Sequence, residues 1–298
     1  MGLPTVARSR RVSAAIFMLG LPSVKHIGGR SMKIAKTGAV LAAALAMTAA
    51  AKPPVKAPTK PVATESVLRT IQEAGVLRIG TTGDYKPFSF KTADGTLVGA
   101  DIEMAKDLAA TLGVRPEFVP TTWKTLLDDF KAGKFDVALG GITVNPDRAA
   151  AGDFSIPNVT DGKRPIVRCA DKDKYTSLAA IDVGGTRVVT NPGGTNDKFA
   201  HENFTKAQIV VWPDNKTIFD QLVDNKADVM VTDGVEVDLQ SKLHPGVLCP
   251  AAVTAPFTHF EDAYLLRRDK DLHTVVDGWM WQAIASGKWK HDYDAAMQ

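Results

Sequence analysis

The sequence predicts an α/β protein of two lobes facing a cleft. Three observations carry this: short β-branched runs alternate with helical stretches between residues 76 and 139, a second such alternation runs between 186 and 231, and a helical tail comes after residue 264. Alternating strands and helices imply mainly parallel sheets with helices on both faces. Each set is too small to be a whole domain of this length, so the two are expected to face one another.

In the first set, residues 76–80 read as a strand and 97–112 as an amphipathic helix ended by Gly113. Residues 115–120 form a second strand, 123–132 a helix stopped by Gly133, and 135–139 a third strand. The second set begins after Pro165, with strands at 186–190, 209–211 and 229–231 and helices at 196–203 and 217–225. In the tail, Leu272, Val275, Val276, Trp279 and Ile284 keep a helical spacing, and the tail is expected to return to the first lobe. Lobe one is then 64–162 plus 264–298 and lobe two 163–263. The two hinge crossings fall near 161–165 and 259–263.

Ahead of these lobes lies a segment of different character. Met32 opens a basic stretch, Lys33-Ile34-Ala35-Lys36, continued by the apolar run 37–51 with small residues at Ala49 and Ala51. This reads as a secretory signal within 1–51, with translation starting at Met32 or with an N-terminal extension; the run is short of the ~20 residues a membrane span needs. Residues 52–63 are a Pro/Lys tether. The chain carries 36 basic and 33 acidic residues, but seven of the bases and none of the acids precede position 52. The rest of the chain has 29 bases against 33 acids, which removes the electrostatic case for a nucleic-acid partner. No stable membrane anchor is expected after cleavage.

At 298 residues, 45% hydrophobic and 23% charged, the composition is that of a globular protein. Cys169 and Cys249 are its only cysteines. In an exported chain they read as a disulfide, two buried thiols being the alternative. The histidines are scattered without an i,i+4 pair, so no metal site is expected. Neither a Gly-x-Gly-x-x-Gly run nor a phosphate loop occurs, and no cofactor is implied.

Candidate ligand groups come just after strands, where open α/β sheets bind their ligands. Thr143, Asn145 and Arg148 come directly after the strand at 135–139. A hydroxyl, free N–H groups and a two-pronged guanidinium suit a carboxylate, while Asn145-Pro146 also reads as a helix cap and first residue. Asn191 and Thr195, in Asn191-Pro192-Gly193-Gly194-Thr195-Asn196, open a helix whose N-terminus can bind an anion or can be an ordinary capped turn. Asp197 is expected to point to solvent. Tyr85, Phe88 and Trp123 can wall an apolar slot or belong to the core. Asp233 and Glu236, three residues apart at the end of a buried strand, read either as a capping box or as the floor of a ligand site.

Through Tyr85-x-Pro87-Phe88, Gly99-x-Asp101-Ile102-Glu103, Asp136 and the 143–148 loop, the chain resembles the type 2 periplasmic solute-binding proteins of polar amino acid transport over residues 65–298. The resemblance implies a two-lobed periplasmic-binding-protein-like fold, with Thr143, Arg148 and Thr195 on a ligand carboxylate and Asp233 on an amino group. Thr81-Thr82-Gly83-Asp84-Tyr85-Lys86-Pro87-Phe88, the 191–196 run, Asp214-Asn215-x-Thr217-Ile218-Phe219 and Thr232-Asp233-x-x-Glu236 further resemble the periplasmic cyclohexadienyl dehydratases, a catalytic branch of that fold.

Membership in that branch implies a lyase of phenylalanine biosynthesis. It converts prephenate to phenylpyruvate and arogenate to phenylalanine, with Glu236 as general acid. Gly234 in place of alanine, and Asp197 in place of glutamate, depart from that pattern; the glycine is expected to loosen the helix start that aims Glu236. The competing expectation is an amino acid-binding protein of an ABC transporter, without catalysis. In either case the partner is a small molecule in the periplasm.

Overall fold

Residues 66–298 are described by the structure, a computed structural model; the expected signal 1–51 and tether 52–63 lie outside them. The described chain opens with α1 (Val67–Ala74), ended by Gly75 in the left-handed region. It continues through β1 (Val76–Thr81), β2 (Asp84–Tyr85), β3 (Ser89–Lys91), β4 (Leu97–Val98), α2 (Ala100–Thr111), β5 (Arg115–Pro120), α3 (Leu126–Lys131), β6 (Val137–Ala138), α4 (Pro146–Ala151) and β7 (Asp153–Phe154). After β8 (Val159–Asp161) come β9 (Lys163–Arg168), α5 (Leu178–Ile181), β10 (Arg187–Thr190), α6 (Gly194–Asn203), β11 (Gln208–Val211), α7 (Asp220–Val223), β12 (Val229–Asp233), α8 (Gly234–Leu243) and β13 (Leu248–Pro250). The chain closes with β14 (Phe260–Asp262), β15 (Leu265–Leu266), α9 (Lys270–Ala285) and α10 (Lys288–Ala296).

Two five-stranded sheets result, in the orders β5-β1-β6-β15-β7 and β11-β10-β12-β9-β13. In each, three parallel strands are extended by antiparallel ones. Along β12 the two-residue period divides the second core: Val229 and Val231 face Val188 and Phe199, whereas Met230 faces Val189 and Leu222. The first core gathers Leu77, Ile79, Leu108, Val137, Leu266 and Met280, so the tail packs on the first sheet as the spacing predicts. Antiparallel pairing of β8 with β14 makes the two hinge crossings run side by side. Among the described residues no helix is long and apolar enough to cross a membrane.

The structure departs from the expected elements for local reasons. Residues 97–98 are a strand and the helix starts only at Ala100, because Gly99 (φ 129°) lies against the Phe88 carbonyl where no Cβ fits. Trp123 stays outside its helix, in a turn where the Thr122 hydroxyl accepts from the Thr125 N–H at 3.2 Å. The expected helix at 217–225 shortens to α7, preceded by a tight turn at Asn215–Thr217. Strand β9 is hidden in the sequence by its charges and by Pro165, yet it lies between β12 and β13; the proline carbonyl still accepts from the Ala251 N–H at 3.0 Å.

Cys169 and Cys249 form a disulfide, their Cα atoms 4.8 Å apart. It staples the edge strand β13 to the end of β9 across 80 residues of sequence. Closing a loop of that length removes denatured-state entropy, typically about 2–4 kcal/mol of stability. A Cys169→Ala/Cys249→Ala variant is expected to lose about that much, read from the urea midpoint; an unchanged midpoint would contradict the role of the staple.

Candidate active site

The expected capping box does not form. Asp233 precedes α8, but its side chain makes no cap bond; the Val235 N–H is taken instead by Asp161 of β8, at 2.8 Å. The hinge therefore holds the start of the helix that carries Glu236. Gly234 makes room for this arrangement rather than loosening it, since a Cβ there would press on the Asp161 carboxylate and come within 2.7 Å of Arg164 Nε.

Freed from capping, the two carboxylates meet different surroundings. Asp233 is buried and accepts from Lys163 Nζ at 2.6 Å and from the Tyr85 hydroxyl. Lys163, itself 3% exposed, also donates to Thr195 Oγ1 at 2.9 Å and to Asn196 Oδ1. The amide of Asn196 is thereby oriented: its Nδ2 donates to Thr232 Oγ1 at 2.9 Å, and the Thr232 hydroxyl donates to Glu236 Oε2 at 2.6 Å. Glu236 is 2% exposed, and burial pushes its carboxyl up to about 8. Asp233 and Asp84 add to the rise, while the Thr232 bond and Lys163 oppose it.

Lobe one supplies the facing wall. Gly140 and Gly141 donate their N–H groups to Asp101 Oδ2 at 2.9 and 3.0 Å, which anchors the loop leading to Thr143. Burial raises Asp101 to about 6, against the Tyr264 hydroxyl and these N–H groups. Gly141 (φ 71°) lies against the Tyr85 ring, which no Cβ would permit. Asn145 caps α4 by accepting from the Arg148 N–H at 3.0 Å, and the Arg148 guanidinium donates to the Thr143 carbonyl at 2.7 Å. That guanidinium is buried, which lowers its pKa against the charges of Asp262 and Asp233.

The predicted residues are mostly brought together. Thr143, Asn145, Arg148 and Thr195 line a cleft of about 400 Å³ with Lys163 and Phe260. Deeper in, Tyr85, Trp123, Asn191, Asn196 and Asp233 surround a cavity of about 20 Å³. Trp123 meets Tyr85 edge-on at 5.6 Å and donates to Asp84 Oδ1 at 3.1 Å. Phe88 is different: it is fully buried behind Tyr85, 5.4 Å between ring centroids, and supports the slot from the core. Asp197 does not point to solvent, because its Oδ2 turns back to accept from the Gly193 N–H at 2.8 Å. Glu236 faces a third cavity, of about 190 Å³, beyond a wall that includes Asn215.

Sequence reasoning passes over Lys163, Asn196, Thr232, Asp84 and Asp262. Asn196 and Thr232 stand inside motifs that carry the resemblance but have no role assigned there, and Lys163 opens a strand that the pattern conceals. Asp262, on β14, is buried, and burial with the charge of Asp233 drives its carboxyl well above the usual range. A buried acid in a hinge crossing has no periodic signature to betray it.

Residues 77–296 match the family described as bacterial extracellular solute-binding proteins, family 3. Over 225 residues the chain is 49% identical to cyclohexadienyl dehydratase of Pseudomonas aeruginosa, covering 76% of this chain and 84% of that protein. It is 28% identical over 220 residues to the L-cystine-binding protein TcyJ of Escherichia coli K12, covering 73% and 81%. The crystal structure of the ancestral amino acid-binding protein AncCDT-1, a precursor of cyclohexadienyl dehydratase, aligns with a TM-score of 0.71 at 35% identity, over 78% of this chain and 100% of that one. The two-lobed architecture, its cleft and the extent of the family match agree: this chain belongs to the bacterial extracellular solute-binding proteins, family 3.

Proposed function

We propose that the chain is a periplasmic cyclohexadienyl dehydratase, turning prephenate into phenylpyruvate and arogenate into phenylalanine by general acid catalysis from Glu236. The observation that carries this reading is a glutamate in the first turn of α8, 2% exposed, whose carboxyl is hydrogen-bonded among the described residues only to the Thr232 hydroxyl and is pushed up to about 8 by burial. The 49% identity to a cyclohexadienyl dehydratase supports it. An ordinary glutamate, at about 4.5, would be ionised and unable to donate.

In the reaction, Glu236 gives its proton to the ring hydroxyl, the C–O bond breaks with its pair and water leaves. The ring carboxylate departs as CO₂, and its bonding pair completes the aromatic ring. The Thr232 hydroxyl, committed to Oε2, leaves Oε1 to carry the proton. Arg148, Thr143 and Thr195 hold the side-chain carboxylate, Tyr85 and Trp123 face the ring, and closure of the lobes excludes water.

The pairing of Asp233 bears on the competing reading. Its charge is already met by Lys163 and the Tyr85 hydroxyl, so the α-ammonium of an amino acid would have to compete with Lys163 for Asp233. This weighs against amino acid transport and favours the keto acid. Accordingly, kcat/KM is expected to be roughly tenfold or more higher for prephenate than for arogenate, because like charges held together cost about 1.4 kcal/mol or more. Equal values would refute that role of Lys163.

Two further outcomes test Glu236. Glu236→Gln is expected to lower kcat by about 10²- to 10⁴-fold with KM changed by only a few-fold; normal turnover would remove the assignment. Because the protonated form is the active one, kcat/KM should be flat below, and fall tenfold per unit above, a pH of about 8. A descent already centred near the ordinary 4.5 would contradict the buried acid.

A further inference from the structure

The reaction takes up a proton in every cycle. Prephenate enters as a dianion and leaves as the phenylpyruvate monoanion, CO₂ and water, so each turnover consumes one proton. Arogenate, with two carboxylates and one ammonium, likewise takes up one proton on becoming phenylalanine. That proton comes from Glu236, which is left ionised and must be recharged from solvent before the next cycle.

On the substrate side the hydrogen-bond chain cannot recharge it. Thr232 connects Glu236 to the Asn196 amide, and behind the amide lie Lys163 and Asp233. An amide N–H is not a practical proton relay, and the inner cavity there measures only about 20 Å³.

We propose that the cavity on the far side of Glu236 is its proton-uptake route, an inference that rests on the reading of Glu236 as the general acid. This cavity, about 190 Å³, is lined by Glu236 with Asp84, Lys216, Asp220, Gln240 and His244. It has room for about six waters at their liquid volume. Its rim is formed by exposed residues, Lys216 and Asp220, so it reaches the surface, and its inner end is the buried glutamate. Polar side chains along its length can order waters into a chain. Gln240 and His244 stand one and two turns beyond Glu236 along α8 and its end, at positions i+4 and i+8, and the His244 ring meets the Gln240 carbonyl at 3.1 Å. They line the passage without touching the substrate cleft, so they serve as positioning residues for the waters.

The test separates proton uptake from chemistry. Glu236 is recharged after CO₂ has left, so slowing this step lowers kcat and leaves kcat/KM alone. Gln240→Phe, which fills the passage from a half-exposed position on α8, is expected to lower kcat roughly tenfold with kcat/KM within twofold. A burst of one phenylpyruvate per site should appear, and the remaining kcat should rise with the concentration of imidazolium buffer at fixed pH, to which the wild type is indifferent. His244→Leu, a smaller change, is expected to move the same quantities in the same direction. If kcat is unchanged in both variants, if kcat and kcat/KM fall together, or if no buffer dependence appears, the route is refuted while the general-acid reading stands. Normal turnover by Glu236→Gln would overturn both.

Discussion

The structure depends on keeping one carboxyl neutral while satisfying the charge of another three residues away. Asp233 and Glu236 leave the same strand end, yet Asp233 is met by an ammonium and a phenol, and Glu236, 2% exposed, by a single hydroxyl and no cation among the described residues. Desolvation favours the neutral form of a carboxyl and a nearby cation favours its charged form. Lys163 serves both ends of this contrast. It pairs with Asp233 directly, whereas Asn196 and Thr232 stand between it and Glu236, which limits the opposing effect of its charge.

The fold delivers these groups from separate places. Strand β12 sets the register of Thr232 and Asp233, β9 brings Lys163 alongside Asp233 in the neighbouring strand, and the N-terminus of α6 presents Thr195 and Asn196. Lobe one closes with Tyr85, whose hydroxyl reaches Asp233, and with Asp84, whose carbonyl accepts from the Asn215 side chain at 3.1 Å. Asp161 ties the hinge to the first turn of α8. The hinge and the start of the helix that carries Glu236 are therefore linked through one hydrogen bond.

Much of this is legible in the sequence. The alternation of strands and helices marks both lobes, the 143–148 loop carries its own signal in Asn145-Pro146 and Arg148, and the Thr232–Glu236 segment stands out by its two acids. What is not legible is long-range. Lys163 carries no signal in the sequence, because nothing local says that Asp233, 70 positions away, will be its partner. Strand β9 escapes notice because charges and a proline mask its pattern, although it lies next to β12 in the sheet. The capping box is plausible from spacing alone and loses to Asp161, which approaches from the hinge. Phe88 shares a motif with Tyr85, which suggests that both wall the slot; in the structure only one of the two can face the cleft, and Phe88 fills the core behind it.

The protonation of the Glu236 side chain is open to direct observation. Infrared difference spectra between the wild type and Glu236→Gln, recorded at pH 7 with glutamate isotopically labelled at the carboxyl, report its state without reference to turnover. A protonated-carboxyl C=O band that is present in the wild type, absent from the variant and lost on titration through about pH 8 is the predicted result. A carboxylate band alone at pH 7 would contradict the account.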